Sequence, residues 1–222
     1  MRPATNSVPR ATVPYVTLTL AAIALVAQWL APLSSSESWF WQTVMSQLQT
    51  EQVWRNVTGH FLHTDLYHLW QNVIALLILG SIIEQWSVRH LLGAFGIGII
   101  GVCLWFYAVS GSLYYCGLSG ALYAVLVVAM AHLWQPLHQA RDKRERTLIA
   151  AANAIVLCIL FGALVKSGLE SQLNMNFTVK LQWISAPGAH IAGWISGMLY
   201  VMSLVLFQLA KEEAPRLAQC KA

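Results

Sequence analysis

The sequence predicts an all-α membrane protein, a bundle of six transmembrane helices with both chain termini in the cytoplasm. Composition is the first observation behind this prediction, because 57% of the 222 residues are hydrophobic and only 10% are charged. Soluble domains carry about 25% charged residues, so this chain has little material for a soluble domain. The net charge of +4 does not indicate a nucleic-acid partner, because the positive residues fall where membrane topology requires them.

Apolar segments of membrane-spanning length are the second observation. A helix needs about 20 mostly apolar residues to cross a bilayer, and segments of this kind occur at residues 14–32, 66–84, 90–109, 118–135, 147–166 and 188–210. The first is not interpreted as a cleavable signal peptide, because it is long and no small-x-small cleavage site precedes the polar stretch Ser34–Glu37. The predicted membrane domain is residues 14–210, flanked by cytoplasmic tails at residues 1–13 and 211–222.

The distribution of Lys and Arg is the third observation. With the N-terminus inside, ten of these residues fall in cytoplasmic segments and three in outer segments, namely Arg55, Lys166 and Lys180. This asymmetry is what the positive-inside rule describes for an N-in, C-in protein. The basic run from Arg141 to Arg146 is therefore predicted to be a cytoplasmic loop, and a long outer loop is predicted at about residues 167–187.

A glycine-flanked serine opens the fourth span. In Gly117-Leu118-Ser119-Gly120 the glycines allow a sharp turn, and a helix start offers free N–H groups to a developing oxyanion. Small residues also line the contacts between membrane helices. The tetrad alone therefore fits either a catalytic or a packing role.

A histidine, His190, opens the sixth span. Both spans run from outside to inside in the predicted topology, so Ser119 and His190 lie at the same membrane face and can form a nucleophile–base pair. Gly193 and Gly197 give the helix of His190 a GxxxG face for close packing. Tyr123 lies four residues after Ser119 on the same helix face, where its ring either stacks on the imidazole or fills the core.

His68 and Asn72 share one face of the second span at i, i+4 spacing. An imidazole N–H and an amide NH₂ are donors that an oxyanion needs, although the same pair can serve helix–helix hydrogen bonding. No carboxylate is placed to complete a triad, so a Ser–His dyad is predicted. A zinc site at His60, His63 and His68 is disfavoured because no HExxH motif is present. An aspartyl protease is disfavoured because no two membrane aspartates exist, and neither a metal nor a cofactor is expected.

Two of the four cysteines, Cys103 and Cys116, are placed near the serine turn. Cys116 directly precedes Gly117, and a disulfide to Cys103 is sterically conceivable, although sequence alone cannot place their Cα atoms. Two separate thiols are the favoured interpretation, because Cys103 is predicted to lie deep in the third span.

The ordered combination of these features resembles the rhomboid family of intramembrane serine proteases. The match runs over roughly residues 50–200 and comprises Trp54-Arg55, His68, Asn72, Glu84, the tetrad at 117–120, Tyr123 and the AHxxGxxxG segment Ala189–Gly197. The resemblance implies a six-helix bundle with a water-accessible cavity, in which Ser119 is the nucleophile and His190 the general base. It further implies an oxyanion hole formed by His68, Asn72 and the Ser119 N–H. The residues that support the dyad are then Tyr123, Gly117, Gly120, Gly193 and Gly197. The resemblance also implies structural roles for Trp54, Arg55 and Glu84.

A narrower likeness is to the rhombosortases, bacterial rhomboids that act on proteins with a C-terminal GlyGly-containing anchor. The compact size, the run Thr58-Gly59-His60 and the run Cys116–Gly120 support it. It implies a multi-pass protein of the bacterial inner membrane, an active site on the periplasmic side, and membrane-anchored proteins as substrates. The alternative function is a catalytically inactive rhomboid-like protein that binds membrane clients. A transporter is disfavoured, because neither intramembrane charge nor an inverted repeat is visible.

Overall fold

The computed structural model describes residues 12–30, 54–63, 65–110, 115–173 and 187–219. Within these ranges the chain is helical apart from short connections. The α-helices are α1 Tyr15–Leu30, α2 Arg55–Thr58, α3 Leu66–Glu84, α4 Val88–Trp105, α5 Ser119–Leu133, α6 Lys143–Leu173 and α7 Pro187–Gln219. Two 3-10 turns, Gly59–Phe61 and Leu137–Gln139, and a π-helical segment after α4, Phe106–Ser110, complete the described elements.

Five of the described helices are long and apolar enough to cross a membrane. They correspond to the predicted spans from the second to the sixth and begin at Leu66, Val88, Ser119, Lys143 and Pro187. The segment predicted at residues 14–32 is occupied by α1, an apolar helix that has 16 residues in the described part of the chain. Large apolar side chains such as Trp70, Ile74 and Ile78 are exposed along α3, as expected where lipid is the solvent. The prediction of an all-α chain with several membrane spans is therefore confirmed.

The helix α5 lies at the centre of the bundle. It packs on α3, α4 and α7. In its apolar membrane-spanning stretch 56% is buried inside the protein, against 17% in the corresponding stretch of α6. Small side chains, including Ala121 and Ala124, are fully buried along it, and they allow its neighbours to approach closely. The first residue of α5 is Ser119, so the fold places the predicted nucleophile on its best-packed element.

Glu84, at the last residue of α3, ties α1 to the bundle. Its carboxylate accepts hydrogen bonds from the backbone N–H groups of Val16 at 2.9 Å and Thr17 at 2.7 Å, and from the Thr17 hydroxyl at 2.7 Å. The first N–H groups of a helix have no partner within it, so a carboxylate placed there satisfies them and complements the helix dipole. The Glu84 carboxylate therefore joins the end of α3 to the start of α1, and its predicted structural role stays a prediction.

Two predicted loops are wrong where they overlap the ends of α6. The N–H of Glu145 donates to Asp142 Oδ1 at 2.7 Å, and the N–H of Arg141 donates to Glu145 Oε2 at 2.7 Å. This is a reciprocal capping arrangement, and it starts the helix at Lys143, inside the run predicted as a loop. At its other end α6 continues to Leu173, so residues 167–173 are helical. The span was predicted to end at 166 because the following residues are more polar; residues 174–186 lie outside the described part.

Candidate active site

The turn before α5 is built around a glycine with unusual backbone geometry. Gly117 has φ +108°, a left-handed conformation that glycine adopts without steric cost. Its N–H donates to the carbonyl of Gly59 at 3.4 Å, and the following Leu118 is fully buried. The turn makes Ser119 the first residue of α5, where the backbone N–H groups have no partner inside the helix.

His190, in the first turn of α7, faces Ser119. Its Nε2 atom lies 2.9 Å from the Ser119 Oγ atom, a distance typical of a hydrogen bond through which an imidazole can take a hydroxyl proton. The two residues are 71 positions apart in the chain. The packing of α7 on α5 is therefore what brings them together.

Two glycines of α7 permit this packing. A methyl group added at Gly197 would lie 2.8 Å from both the Cα and the carbonyl oxygen of Ala124, and one added at Gly193 would collide with the carbonyl of Gly120. The predicted GxxxG face therefore lies against α5, and the two backbones are in direct contact beside the Ser119–His190 pair.

The ring of Tyr123 lies flat on the His190 imidazole. The ring centroids are 4.7 Å apart and the planes differ by 9°, which is a stacked arrangement. Tyr123 is one turn after Ser119 on α5, so a single helix face supplies both the hydroxyl and the aromatic platform. Of the two interpretations left open by the sequence, stacking on the imidazole is the one observed.

His68 and Asn72 converge on the Gly117 turn from α3. A methyl group added at Gly117 would lie 3.0 Å from His68 Nε2 and 3.8 Å from Asn72 Nδ2. The Asn72 Nδ2 donor is buried and has no hydrogen-bond partner within the described residues. Asp65 caps α3 by accepting from the His68 N–H at 2.8 Å, which fixes the position of His68. The His68 ring and the Asn72 amide thus both lie against the turn that carries Ser119.

Two further histidines, outside the membrane-spanning helices, are buried near this turn. The His60 ring packs edge-on against Tyr115 with centroids 5.0 Å apart, and the His63 ring packs edge-on against His68 at the same distance. Burial lowers the pKa of His60 to about 4. Burial, followed by the neighbouring His68, lowers the pKa of His63 to about 3. Both imidazoles are therefore neutral at physiological pH.

Comparison with known proteins decides the family. Residues 50–207 match the family model of the Rhomboid domain, which is more than half of the 222 residues. The chain belongs to the rhomboid family. It is also similar to a curated protein of Toxoplasma gondii, "Rhomboid-like protease 2", with 24% identity over 139 residues that cover 60% of this chain. The rhomboid described here spans 46% of the length of that relative.

Sequence analysis missed two hydroxyl groups of this rhomboid. The Tyr115 hydroxyl, four residues before Ser119, accepts a hydrogen bond from the Gly120 N–H at 3.3 Å, and burial raises the pKa of Tyr115. Ser167, on α6, lies 3.0 Å from the Tyr123 hydroxyl. Tyr115 could have been suspected from its proximity to the tetrad, whereas nothing in the local sequence connects Ser167 with Tyr123.

The predicted positions that remain are Cys103, Cys116, Trp54 and Arg55. No disulfide joins Cys103 and Cys116, and the Cys103 thiol donates to the carbonyl of Asn56 at 3.6 Å. Trp54 is exposed at the start of α2. Arg55 is the first residue of α2, and its side chain lies outside the described part. The structural roles predicted for Trp54 and Arg55 stay predictions.

Proposed function

We propose that this rhomboid is an intramembrane serine protease that hydrolyses peptide bonds in or next to the membrane anchors of substrate proteins. The observation that carries the proposal is the 2.9 Å contact between Ser119 Oγ and His190 Nε2. The stacked Tyr123 ring and the two donors beside Gly117 support it, because a dyad needs an oriented base and a site for the oxyanion.

In the proposed reaction, Ser119 Oγ attacks the carbonyl carbon of the scissile bond while His190 Nε2 accepts the hydroxyl proton. The negative charge on the carbonyl oxygen is stabilised by His68, by Asn72 Nδ2 and by the Ser119 N–H. Collapse of this intermediate breaks the C–N bond, and His190 gives its proton to the leaving amine. A water molecule then attacks the acyl-enzyme with His190 as the base and releases the second product.

The glycines and Tyr123 support this chemistry without touching the reacting atoms. Gly117 leaves the space beside His68 and Asn72 open, and Gly193 lets α7 contact the backbone of Gly120. Tyr123 holds the plane of the imidazole by stacking. A base held in one orientation loses less freedom on reaching the transition state than a mobile one.

The proposed topology has six spans with both termini in the cytoplasm and a membrane domain of residues 14–210. The apolar helix α1 and its attachment to Glu84 support a sixth span beside the five long helices. The ten-to-three distribution of Lys and Arg supports the orientation. Ser119 and His190 then face the outer, periplasmic side of a bacterial inner membrane.

The proposed substrate class is the rhombosortase class, proteins with a C-terminal anchor that contains a GlyGly pair. Helical backbone hides its carbonyl groups in hydrogen bonds, so a membrane-embedded anchor must unwind before Ser119 can reach it. Glycines favour such unwinding because they stabilise helices least among the residues other than proline.

The proposal is tested with detergent-solubilised protein and two anchored substrates that differ only in GlyGly or Leu-Leu before the anchor. We expect cleavage of the first substrate, fluorophosphonate labelling at Ser119, and loss of both in Ser119→Ala. Cleavage of both substrates would support the proposed protease activity and contradict the proposed preference for GlyGly. Neither cleavage nor labelling of the folded wild type would reject the protease and favour the client-binding alternative.

A further inference from the structure

The helix α6 is the least enclosed of the long apolar helices, yet two of its four buried described residues are polar. Asn153 and Ser167 are 5% and 0% exposed, on a helix whose other described side chains are mostly exposed. A polar side chain in an apolar environment is costly unless it is hydrogen-bonded. The partners of these two residues therefore show where α6 is held.

The two attachments are made to different partners. Asn153 makes two hydrogen bonds with the backbone of Gln135, accepting from its N–H at 3.0 Å and donating to its carbonyl at 2.6 Å. At the other end, the Tyr123 hydroxyl of α5 lies 3.0 Å from the Ser167 hydroxyl and donates to the carbonyl of Ala163, also on α6, at 3.5 Å. The Ser167 hydroxyl itself lies 3.1 Å from the same carbonyl oxygen. The second attachment therefore acts on Tyr123, the residue beside His190.

Tyr123 connects this attachment to the dyad. One face of its ring covers the His190 imidazole, with centroids 4.7 Å apart, and its hydroxyl end is held by Ser167. The hydroxyl oxygen lies on the long axis of the tyrosine ring, so contacts there restrain the position of the ring at the χ1 bond. A ring held in this position stays over the imidazole whose Nε2 faces Ser119, and it restrains that imidazole by stacking.

We propose that Ser167 is a positioning residue for the catalytic base: it fixes Tyr123, and Tyr123 fixes His190. The inference rests on the proposed function and adds a condition to it. The base is oriented only while α6 is seated against α5, so displacement of α6 at this end lowers the rate of the chemical step without removing any catalytic group.

The kinetic test is a cycle of Ser167→Ala, Tyr123→Phe and the double variant. Each single variant removes one hydroxyl of the pair and keeps the Tyr123 ring. We expect each to lower kcat by about three- to tenfold, the effect of one hydrogen bond, with KM unchanged. The double variant should lose no more than Tyr123→Phe alone, because Tyr123→Phe already removes both contacts of the Tyr123 hydroxyl. Ser167→Thr, which keeps a hydroxyl, should restore kcat.

A matched control is Ser196→Ala. Ser196 is also buried, and its hydroxyl donates to the carbonyl of Ala192 on its own helix at 2.8 Å, away from Tyr123. It should leave kcat unchanged. A loss of kcat in Ser196→Ala equal to that in Ser167→Ala would overturn the proposal, because deletion of any buried serine hydroxyl would then suffice.

A second measurement does not depend on catalysis. A stacked aromatic ring shifts the resonances of the protons that lie over its face. In protein labelled with ¹³C-histidine and assigned by His190→Gln, we expect the His190 ring protons to move towards the position of an unstacked histidine in Ser167→Ala. They should return in Ser167→Thr. An unchanged His190 signal in Ser167→Ala would overturn the positioning role even in a fully active protease.

The two proposals fail in different ways. A folded wild type that neither cleaves nor labels would reject the proposed function, while the His190 spectra would still decide the role of Ser167. Full cleavage by Ser167→Ala and an additive double variant would reject the role of Ser167 and leave the protease intact.

Discussion

The two ends of α5 carry similar histidine contacts in different surroundings. At the start of the helix, His190 bonds to the Ser119 hydroxyl and stacks on Tyr123. At its end, His132 Nε2 lies 3.1 Å from His90 Nδ1, and the His132 ring stacks on Trp86 with centroids 6.1 Å apart and planes 14° apart. Both ends of α5 therefore place an imidazole within hydrogen-bonding distance of a polar side chain and stack it on an aromatic ring.

The surroundings separate the two sites. The Ser119 end combines the imidazole with a hydroxyl, a glycine at positive φ and a buried amide donor. The His132 end combines it with a second imidazole and a cavity of about 360 Å³ beside Trp134 and Val201. An oriented imidazole is thus insufficient for acyl transfer, which also needs a nucleophile and prepared donors for the charge that develops on the substrate.

The largest effect is expected at the dyad. Ser119→Ala and His190→Ala should each lower kcat by at least about 10⁴-fold, because both act in the same proton transfer. The double variant should be no worse than either single one. Initial rates of substrate cleavage measure this, and a single variant with undiminished cleavage would remove the basis for distinguishing the two ends.

The glycine contact is expected to be nearly as sensitive. Gly193→Leu should abolish cleavage with all catalytic residues present, because the side chain collides with the Gly120 backbone and separates Ser119 from His190. Gly162→Leu on α6 is the matched control, since a methyl group there meets no atom within 4 Å. Full activity of Gly193→Leu would show that the contact between α5 and α7 does not set the dyad distance.

Removal of the amide donor is expected to have the next effect. Asn72→Ala should lower kcat by about 10²- to 10³-fold, the usual effect of losing one oxyanion donor. Its thermal stability should be close to that of the wild type, because Asn72 Nδ2 has no partner to lose within the described residues. A variant that loses stability but keeps its rate would assign Asn72 to helix packing instead.

Acid should weaken the fold through the buried histidines of the Ser119 end. Histidine in the unfolded chain has a pKa of about 6.5, while burial lowers the folded pKa of His60 to about 4. Below pH 6.5 His60 is protonated in the unfolded chain but stays neutral in the folded chain. The free energy of unfolding therefore decreases as the pH falls from neutral towards 4. Between pH 7 and pH 5 the loss is about 2 kcal/mol from His60.

Unfolding midpoints in detergent at these two pH values measure the effect, and His60→Phe is the variant that isolates it. His60→Phe should show a smaller difference between the two midpoints than the wild type. An equal difference in both proteins would show that His60 is not neutral in the folded state.

The smallest effect on cleavage is expected at the His132 end. His132→Leu removes the bond to His90 and should cost about 1 kcal/mol of stability, the typical value of one hydrogen bond. Cleavage by the folded variant should stay within about twofold of wild type. A large loss of kcat would contradict the separation of the two ends and indicate that the pair at His132 influences the dyad.

Local spacing predicted much of the candidate site. Tyr123 shares a face with Ser119 because of its four-residue spacing. The GxxxG pattern predicted a close-packing face on α7, and the structure identifies α5 as the helix that it meets. Ser167 was beyond reach, because its contact with Tyr123 joins residues 44 positions apart and hydropathy had assigned residue 167 to a loop. Hydropathy indicates where a helix leaves the lipid, but it does not indicate where the helix ends. The backbone hydrogen bonds of α6 continue through its polar residues as far as Leu173.

The length of α5 has a consequence for the bilayer itself. Its 15 residues extend about 22 Å, whereas the hydrocarbon layer is about 30 Å thick. If the Leu133 end lies at one interface, Ser119 lies recessed by about 8 Å below the other, unless the lipids around it thin. Membrane thickness then sets the path that water must travel to the acyl-enzyme, so longer acyl chains should slow deacylation more than acylation. In the proposed protease, the lipid composition of the host membrane would then influence the rate of turnover.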